Sequence, residues 1–566
     1  MAYPNARPVR VARDQSVLHP AVSALAMSLP SLCRLVVDAA ARHAPRPALV
    51  GRFGVLSFEE LNTAARRWAA ALREAGVDPG GRVGIMGNRS RVTYIGALAA
   101  AYAGAAFVPL NTRLHPDRLR RIAQLAELDA VIVEPEASDL LASMLDAVPA
   151  VRAVLLPESP RGLPASGVPA LTAADMPATG APPCVDPDPS WVAYLLFTSG
   201  TTGTPKGVGV TQGNVAAYLA NARARFEFTP DDRFSQMFEQ SFDVSIFDLF
   251  VAWASGACVH TLDARQLVAP ASYIEQQQLS VFSSVPSVLT LMQQRRALRP
   301  GRFASVRYSM FAGEALPVSL VRQWAAAAPK SVIENQYGPT EATVVVTGFR
   351  WSPNDPAAYP LDCVPIGTPF PGVQLRIVDP DGHLVAPGEA GELWIGGAQT
   401  VPGYWRDDEQ TRRCFTEAEG IDGRRHRHYR SGDLVRMLPG GDIAYLGRVD
   451  HQLKILGRRV EPGEVEALAR QVAGVSDAVA VGFPLEEGRP VALTLFVQSA
   501  APAETVSAAV AATLSEWLEP FLVPRSVVCC TAFPLNANGK VDRGALLQGL
   551  SQGLYPSSSP TPIRTG

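Results

Sequence analysis

The sequence predicts an α/β protein of layered sheets and helices with largely parallel strands. Three observations lead there. Short apolar runs alternate with amphipathic stretches along most of the chain, the pattern of helices laid over a parallel sheet. The 566 residues are enough for several hydrophobic cores. One apolar run, Tyr194 to Phe197, leads directly into a loop of hydroxyls and glycines ending at Lys206, an arrangement suited to gripping phosphate.

The elements follow in chain order. Residues 1–27 carry Pro, Arg and Ser without periodicity and are expected to form a disordered extension. Leu32 to Ala41 reads as a helix and Ala48 to Val50 as a strand. Ser57 and Glu60 have the spacing of a capping box for a helix running to about Ala75. Arg82 to Met86 and Ala130 to Val133 read as strands separated by helices. The longest uncharged apolar run, Ile95 to Leu110, is too short to span a bilayer and is broken by Gly96 and Gly104. It reads as a small-residue helix feeding a buried strand, Ala105 to Leu110, so no membrane segment is expected. Glu158 to Pro189 reads as a surface connection and Val306 to Phe311 as a further strand. The tail beyond Ser551 is of low complexity.

Composition narrows the function classes. With 47% hydrophobic and 18% charged residues the chain has the make-up of an ordinary globular protein. A net charge of −2 supplies no attraction for nucleic acid or for an anionic membrane. The seven cysteines are odd in number and contain no C-x-x-C pair, which argues against a disulfide framework or a zinc site. A cytoplasmic location is expected.

Several stretches carry chemistry. Thr198, Ser199, Gly200, Thr201, Thr202, Gly203 and Lys206 form the phosphate-gripping loop; it is not a Walker A loop, because Gly207 rather than Ser or Thr follows the lysine. The turn at Gly338 and Pro339 presents the Tyr337 ring, the Thr340 hydroxyl and the Glu341 carboxylate together. Asp433 offers a carboxylate able to accept two hydroxyls, and the nearby run Arg424, Arg425, Arg427 and Arg430 reads as a solvated loop face. Lys540 projects after an Asn538-Gly539 turn.

Taken in order across about residues 30–548, these stretches resemble the motifs of adenylate-forming enzymes. That superfamily comprises acyl-CoA synthetases, luciferases and the adenylation domains of nonribosomal peptide synthetases, and the chain is most similar to a free-standing amino-acid adenylation domain. The resemblance implies a large N-terminal domain, residues 28–449, a small mobile α+β C-terminal domain, residues 450–548, and a disordered tail, residues 549–566. It implies ATP and magnesium as cofactors. The loop of Thr198 to Gly203 with Lys206 then holds phosphates, Tyr337 stacks on adenine, Thr340 contacts the α-phosphate and Glu341 holds the metal. Gly313 and Glu314 form the other wall of the adenine slot, Asp433 takes the ribose hydroxyls and Arg448 reaches the nucleotide. Asp450 matches the hinge between domains, and Gly457 to Glu461 matches a loop that swings in for a second half-reaction. Lys540 matches a mobile catalytic lysine, acting with Thr340 and Glu341 by charge stabilisation.

Phe242, Asp243, Val244 and Ser245 resemble the F-D-x-S of amino-acid-activating domains, whose aspartate pairs with the substrate ammonium. A buried carboxylate facing an apolar pocket is costly unless a cation meets it. Asp248, nearby, reads as structural. By similarity the substrate pocket comprises Phe242, Asp243, Val244, Phe247, Ser283, Met310, Ala312, Gln336, Val344 and Val345. It carries no charge for a basic or acidic side chain, which implies a small or medium neutral amino acid such as alanine or proline. Two stretches depart from the pattern. Val108 to Leu114 looks more like acyl-CoA synthetases, and Gly396 to Tyr404, with Gln399 inside it, fits the usual glycine-rich strand motif only loosely. Residues 541–566 hold no G-G-x-S site for a phosphopantetheine arm, so a separate carrier protein is the expected acceptor. A small activator protein is a further partner the resemblance admits. An acyl- or aryl-CoA ligase, a D-alanine–carrier protein ligase and a catalytically dead homologue stand as alternatives.

Overall fold

The computed structural model describes residues 29–158, 167–198, 205–353, 362–419, 423–450, 452–486, 489–499, 501–535 and 541–555. The expected N-terminal extension, Ser199 to Gly203 of the phosphate loop and Lys540 lie outside the described residues.

Two sheets form the large N-terminal part. One runs in the order Ala170–Thr172, Ala153–Leu156, Ala130–Val133, Arg82–Met86, Ala106–Leu110, Val192–Thr198 and Lys206–Thr211. Its neighbours are parallel except the last two, which pair antiparallel across the phosphate loop, Thr198 opposite Lys206. The other runs from Thr368–Pro369 through Thr347–Trp351, Val332–Tyr337, Tyr308–Phe311, Val281–Ser284, Arg233–Gln236, Cys258–Thr261 and Pro47–Gly51 to Gly54–Ser57. It is parallel at its centre and antiparallel at both edges.

Helix Arg91–Ala103 is buried on every side from Val92 onward, so its alanines and Gly96 serve close approach rather than amphipathicity. It ends at Gly104, whose φ of 81° is the left-handed cap that glycine adopts without strain. Helix Phe58–Glu74 starts at a reciprocal capping box between Ser57 and Glu60.

An antiparallel sheet of Val373–Val378, Ala390–Gly397, Arg425–Met437, Phe415–Glu419 and Ile443–Arg448 follows. The arginine run read as a loop face belongs to it. Arg425, Arg427 and Arg430 lie in a strand, where Arg427 and Arg430 pair with Glu417 and Glu392 on neighbouring strands. Charged side chains on an outward sheet face lack the apolar alternation that marks a strand.

Beyond Asp450 the chain builds its own cores. Asp477–Gly482, Leu493–Gln498 and Ser526–Cys530 form a sheet covered by helices Pro462–Ala469, Ala503–Trp517 and Arg543–Ser551. The tail expected from residue 549 is ordered further than that: the last helix runs to Ser551, and the Tyr555 ring packs edge-on against Phe496 with ring centres 4.9 Å apart. Among the described residues no helix is long and apolar enough to cross a membrane.

Candidate active site

Parallel strands end together, and the loops leaving them meet in one cleft. Strands Val281–Ser284, Tyr308–Phe311 and Val332–Tyr337 pair in register, Ser283 beside Met310 and Met310 beside Glu334. This puts Ser283, Met310, Ala312 and Gln336 on the same face at the ends of neighbouring strands. Val244 and Phe247 come from the segment preceding and opening the π-helical turn Phe247–Val251, and Val344 and Val345 from the turn after Glu341. These eight residues line one cavity of about 10 Å³, with room for about one water.

Asp243 stands beside that cavity, 8% exposed. The Val344 N–H donates to it at 3.3 Å. Burial pushes its pKa up to about 7, against the pull of hydrogen bonds from the Thr340 hydroxyl and the Val344 N–H. Among the described residues no arginine or lysine pairs with it. Asp248, in contrast, has its partners inside the protein: the Ser283 hydroxyl and the Phe238 N–H donate to its carboxylate. Burial raises its pKa to about 7 as well.

A neighbouring cleft of about 180 Å³ is lined by Thr198, Phe242, Asp243, Ala312, Gly313, Tyr337, Thr340, Asp433, Arg448 and the 457–459 loop, among others. The Tyr337 hydroxyl donates to Asp433 Oδ2 at 2.5 Å, and Arg448 Nη1 donates to Asp433 Oδ1 at 2.8 Å. Arg448 also grips both oxygens of Asp450, at 2.5 and 2.6 Å. The expected hinge residue and the expected nucleotide contacts are therefore one connected network. Glu314 accepts the N–H groups of Ser287 and Gly457, tying the expected adenine-slot wall to the 457–461 loop. Gly457 has φ 76°, and a Cβ there would stand 2.2 Å from Val285, so only glycine fits this approach.

Glu341 is fully buried. Tyr404 donates to its Oε1 at 2.6 Å, and Arg459 Nη1 lies 3.0 and 3.3 Å from its two oxygens. Burial acts to raise the Glu341 pKa, but the Arg459 guanidinium and the Tyr404 hydroxyl outweigh it and hold the carboxyl below its ordinary value. The Thr198 hydroxyl, buried and without a partner among the described residues, opens onto the same cleft, and Lys206 Nζ sits 5.9 Å from the centre of the Tyr404 ring. A buried carboxylate such as Glu341, joined by phosphate oxygens of a substrate, is the kind of hard oxygen donor that could hold magnesium, in competition with Arg459, which here takes both of its oxygens.

Arg459 and Tyr404 were not among the expected site residues. Both lie in stretches the sequence singled out, Gly457 to Glu461 and Gly396 to Tyr404, but nothing local pairs them with Glu341, from which Arg459 is separated by 118 positions.

The loop carrying Arg459 is seated by contacts that include the first departing stretch. Arg458 stacks over Phe521 and Phe242, 4.4 and 5.0 Å from their ring centres, and pairs with Glu519 at 2.7 Å and Glu239 at 3.5 Å. Asn111 and Arg113 hold Glu239 from the other side, Arg118 pairs with Glu464, and His115 stacks on Trp517 at 4.6 Å. Beside this junction a cavity of about 1310 Å³ runs between the two parts of the chain, lined in part by Val285, Gly313, Glu314, Tyr337, Lys454 and Phe521.

Comparison with known proteins gives a consistent picture. Residues 36–405 match the family described as AMP-binding enzyme, and residues 464–540 match the AMP-binding enzyme C-terminal domain. The chain is 34% identical over 550 residues to an L-proline–[L-prolyl-carrier protein] ligase of Streptomyces coelicolor, covering 92% of this chain and 96% of that protein. It is 33% identical over 517 residues to tyrocidine synthase 2 of Brevibacillus parabrevis; the match takes in 91% of this chain but only 13% of that longer protein. Among solved structures it resembles the Vibrio cholerae adenylation domain AlmE in complex with glycyl-adenosine-5′-phosphate, with a TM-score of 0.80 and 27% identity, covering 96% of this chain and 99% of that one.

Proposed function

The chain belongs to the AMP-binding enzyme family, and from that premise we propose that it activates a small neutral amino acid as its adenylate and passes the acyl group to the pantetheine thiol of a carrier protein. It is an AMP-forming ligase. The observation that carries the amino-acid reading is Asp243, a buried carboxylate beside a small, mostly apolar cavity, against which no arginine or lysine is placed among the described residues. A substrate ammonium placed there regains for Asp243 what burial costs it.

In this reading the amino-acid side chain enters the cavity of Val244, Phe247, Ser283, Met310, Ala312, Gln336, Val344 and Val345. The small cavity favours side chains of alanine size over larger ones. Its carboxylate then points into the adjoining cleft, where Thr340, Lys206 and the loop beginning at Thr198 hold the phosphates. The Tyr337 ring and the Gly313 wall take adenine between them, and Asp433, positioned by Tyr337 and Arg448, accepts ribose hydroxyls with its remaining lone pairs. Magnesium held by Glu341 would neutralise phosphate charge. Lys540 supports attack of the substrate carboxylate on the α-phosphate, and pyrophosphate leaves.

For the second step the 457–459 loop lies against the site, and Glu314 and Tyr337 are among the residues lining the large groove. A thiol on a long flexible arm reaches the acyl carbonyl along that groove, and AMP is released. That the relative from Streptomyces coelicolor is a prolyl-carrier protein ligase supports a carrier protein as acceptor.

The test is amino-acid-dependent ATP–pyrophosphate exchange over the common amino acids, both alanine enantiomers and the matching acids without an amine. Exchange with one or a few small neutral amino acids is expected. Exchange only with acids lacking the amine would move the chain to acyl-CoA ligase chemistry.

A further inference from the structure

The wall of the substrate cavity rests on strained backbone. Thr343 and Val344 both adopt the left-handed region, at φ 59° and 67°. That conformation is uncommon for a non-glycine residue and a genuine outlier for a β-branched one. It persists only where surrounding contacts over-determine it. Here it has a use: it aims the Val344 N–H at Asp243 while Val344 and Val345 face the cavity.

The contact that secures this turn comes from Gln399, in the stretch that departs from the usual glycine-rich pattern. Gln399 is 1% exposed. Its amide nitrogen faces three carbonyls of the turn, those of Val345 at 2.8 Å, Thr343 at 3.1 Å and Ala342 at 3.5 Å. The Thr343 hydroxyl donates back to the Gln399 carbonyl at 2.6 Å. On its other side Gln399 Oε1 accepts from Asn221 Nδ2 at 2.8 Å. The amide orientation follows from these partners, since reversal would set an oxygen against three carbonyls and an NH₂ against an NH₂. Asn221 and Asn214 sit two turns apart on helix Gln212–Arg225, and Asn214 holds the Ala398 and Thr400 carbonyls on either side of Gln399. A buried side chain that satisfies carbonyls of a distant turn, and that is itself anchored from a helix, is a brace.

We propose that Gln399 is a positioning residue for substrate selection: it holds residues 342–345 in the strained form that sets the cavity wall and the orientation of Asp243. This rests on the amino-acid adenylation reading above. Methionine at 399 keeps the volume and removes the donors, so the turn is free to relax and the cavity loses its definition. Tyr337, Asp433 and Arg448 hold one another without Gln399, and Glu341, just before the turn, is held by Tyr404, Arg459 and the Val401 N–H, so ATP recognition is disturbed less than amino-acid binding.

The experiment is ATP–pyrophosphate exchange on the full chain with Gln399→Met. Three quantities are read: KM for the preferred amino acid, KM for ATP, and the preference over an analogue one methylene longer. The expected result is an amino-acid KM raised about tenfold or more, an ATP KM within about twofold of wild type, and a preference reduced several-fold. KM values that rise in step, or an unchanged preference, would overturn the inference. If Gln399→Met does not accumulate as folded protein, Asn221→Ser, which frees Gln399 from behind without touching the turn, is required to shift the same ratio in the same direction. Wild-type protein that exchanges with no amino acid overturns the adenylation reading and this inference with it. Selective wild-type exchange that neither variant disturbs overturns the inference alone.

Discussion

Replacing Asp243 by asparagine isolates one charge in the site. Burial moves the Asp243 carboxyl from an ordinary 3.8 to about 7, which corresponds to about 4 kcal/mol against ionising it inside the protein. Because the folded chain binds this proton more tightly than the unfolded chain, stability falls as pH rises from about 4 to about 7 and is level above that. Asp243→Asn removes the slope owed to this residue, and Asp248, raised to about 7 as well, keeps its own. The variant is therefore expected to be more stable than wild type at pH 8, by no more than about 4 kcal/mol. Its substrate binding moves the other way. Leaving a substrate ammonium buried without its partner costs about 3–5 kcal/mol, so kcat/KM for the amino acid is expected to fall roughly 10²–10⁴-fold. Exchange with the matching acid lacking an amine should not fall. In wild type, amino-acid KM should drop as pH rises toward 7, since the ionised carboxylate is the binding form, and this dependence should vanish in the variant. Denaturant unfolding at pH 5 and pH 8 and exchange kinetics across that range are the assays. A variant that keeps wild-type kcat/KM, or that is less stable at pH 8 than at pH 5 relative to wild type, refutes the assignment.

Other substitutions probe the remaining parts. Lys540→Ala should slow single-turnover adenylate formation by about 10²–10³-fold, the usual loss when one charge-stabilising donor is removed; wild-type pyrophosphate release would end its catalytic role. Glu341→Gln should raise the magnesium concentration needed for half-maximal exchange by about tenfold or more, read by titrating the metal at fixed ATP. Ala312→Leu fills the small cavity and should reduce kcat/KM for every amino acid larger than glycine by about tenfold or more, with ATP KM little changed. Arg118→Glu breaks the pair with Glu464 and should slow acyl transfer to pantetheine by about tenfold while exchange persists, and adding Glu464→Arg should restore transfer.

Much of the architecture was legible because it is written in short-range terms. Ser57 and Glu60 cap a helix with groups three residues apart, Gly104 ends one through its own φ, and the apolar run Tyr194 to Phe197 could only be a buried strand before the glycine-rich loop. The pocket residues were placed by resemblance rather than by any local signal, since Val244 and Val345 lie a hundred positions apart. The arginines near 425 and the segment from residue 549 to Tyr555 were misread for the same reason. A charged outward strand face and a lone Tyr555 look alike in sequence whether or not a neighbouring strand or Phe496 receives them.

What the sequence by itself determined is where many of its elements begin and end and which residue types each loop presents, because sterics, capping and periodicity act within a few residues. Only the tertiary structure decided that Arg459 meets Glu341, that Asn111 to Arg118 seats the small domain, and that Gln399 braces a left-handed turn. Those contacts depend on strand register and on how two separately built cores face each other. A hydrogen bond formed across such distances in the chain is a property of the packed whole, and it leaves no trace in the spacing of the residues that make it.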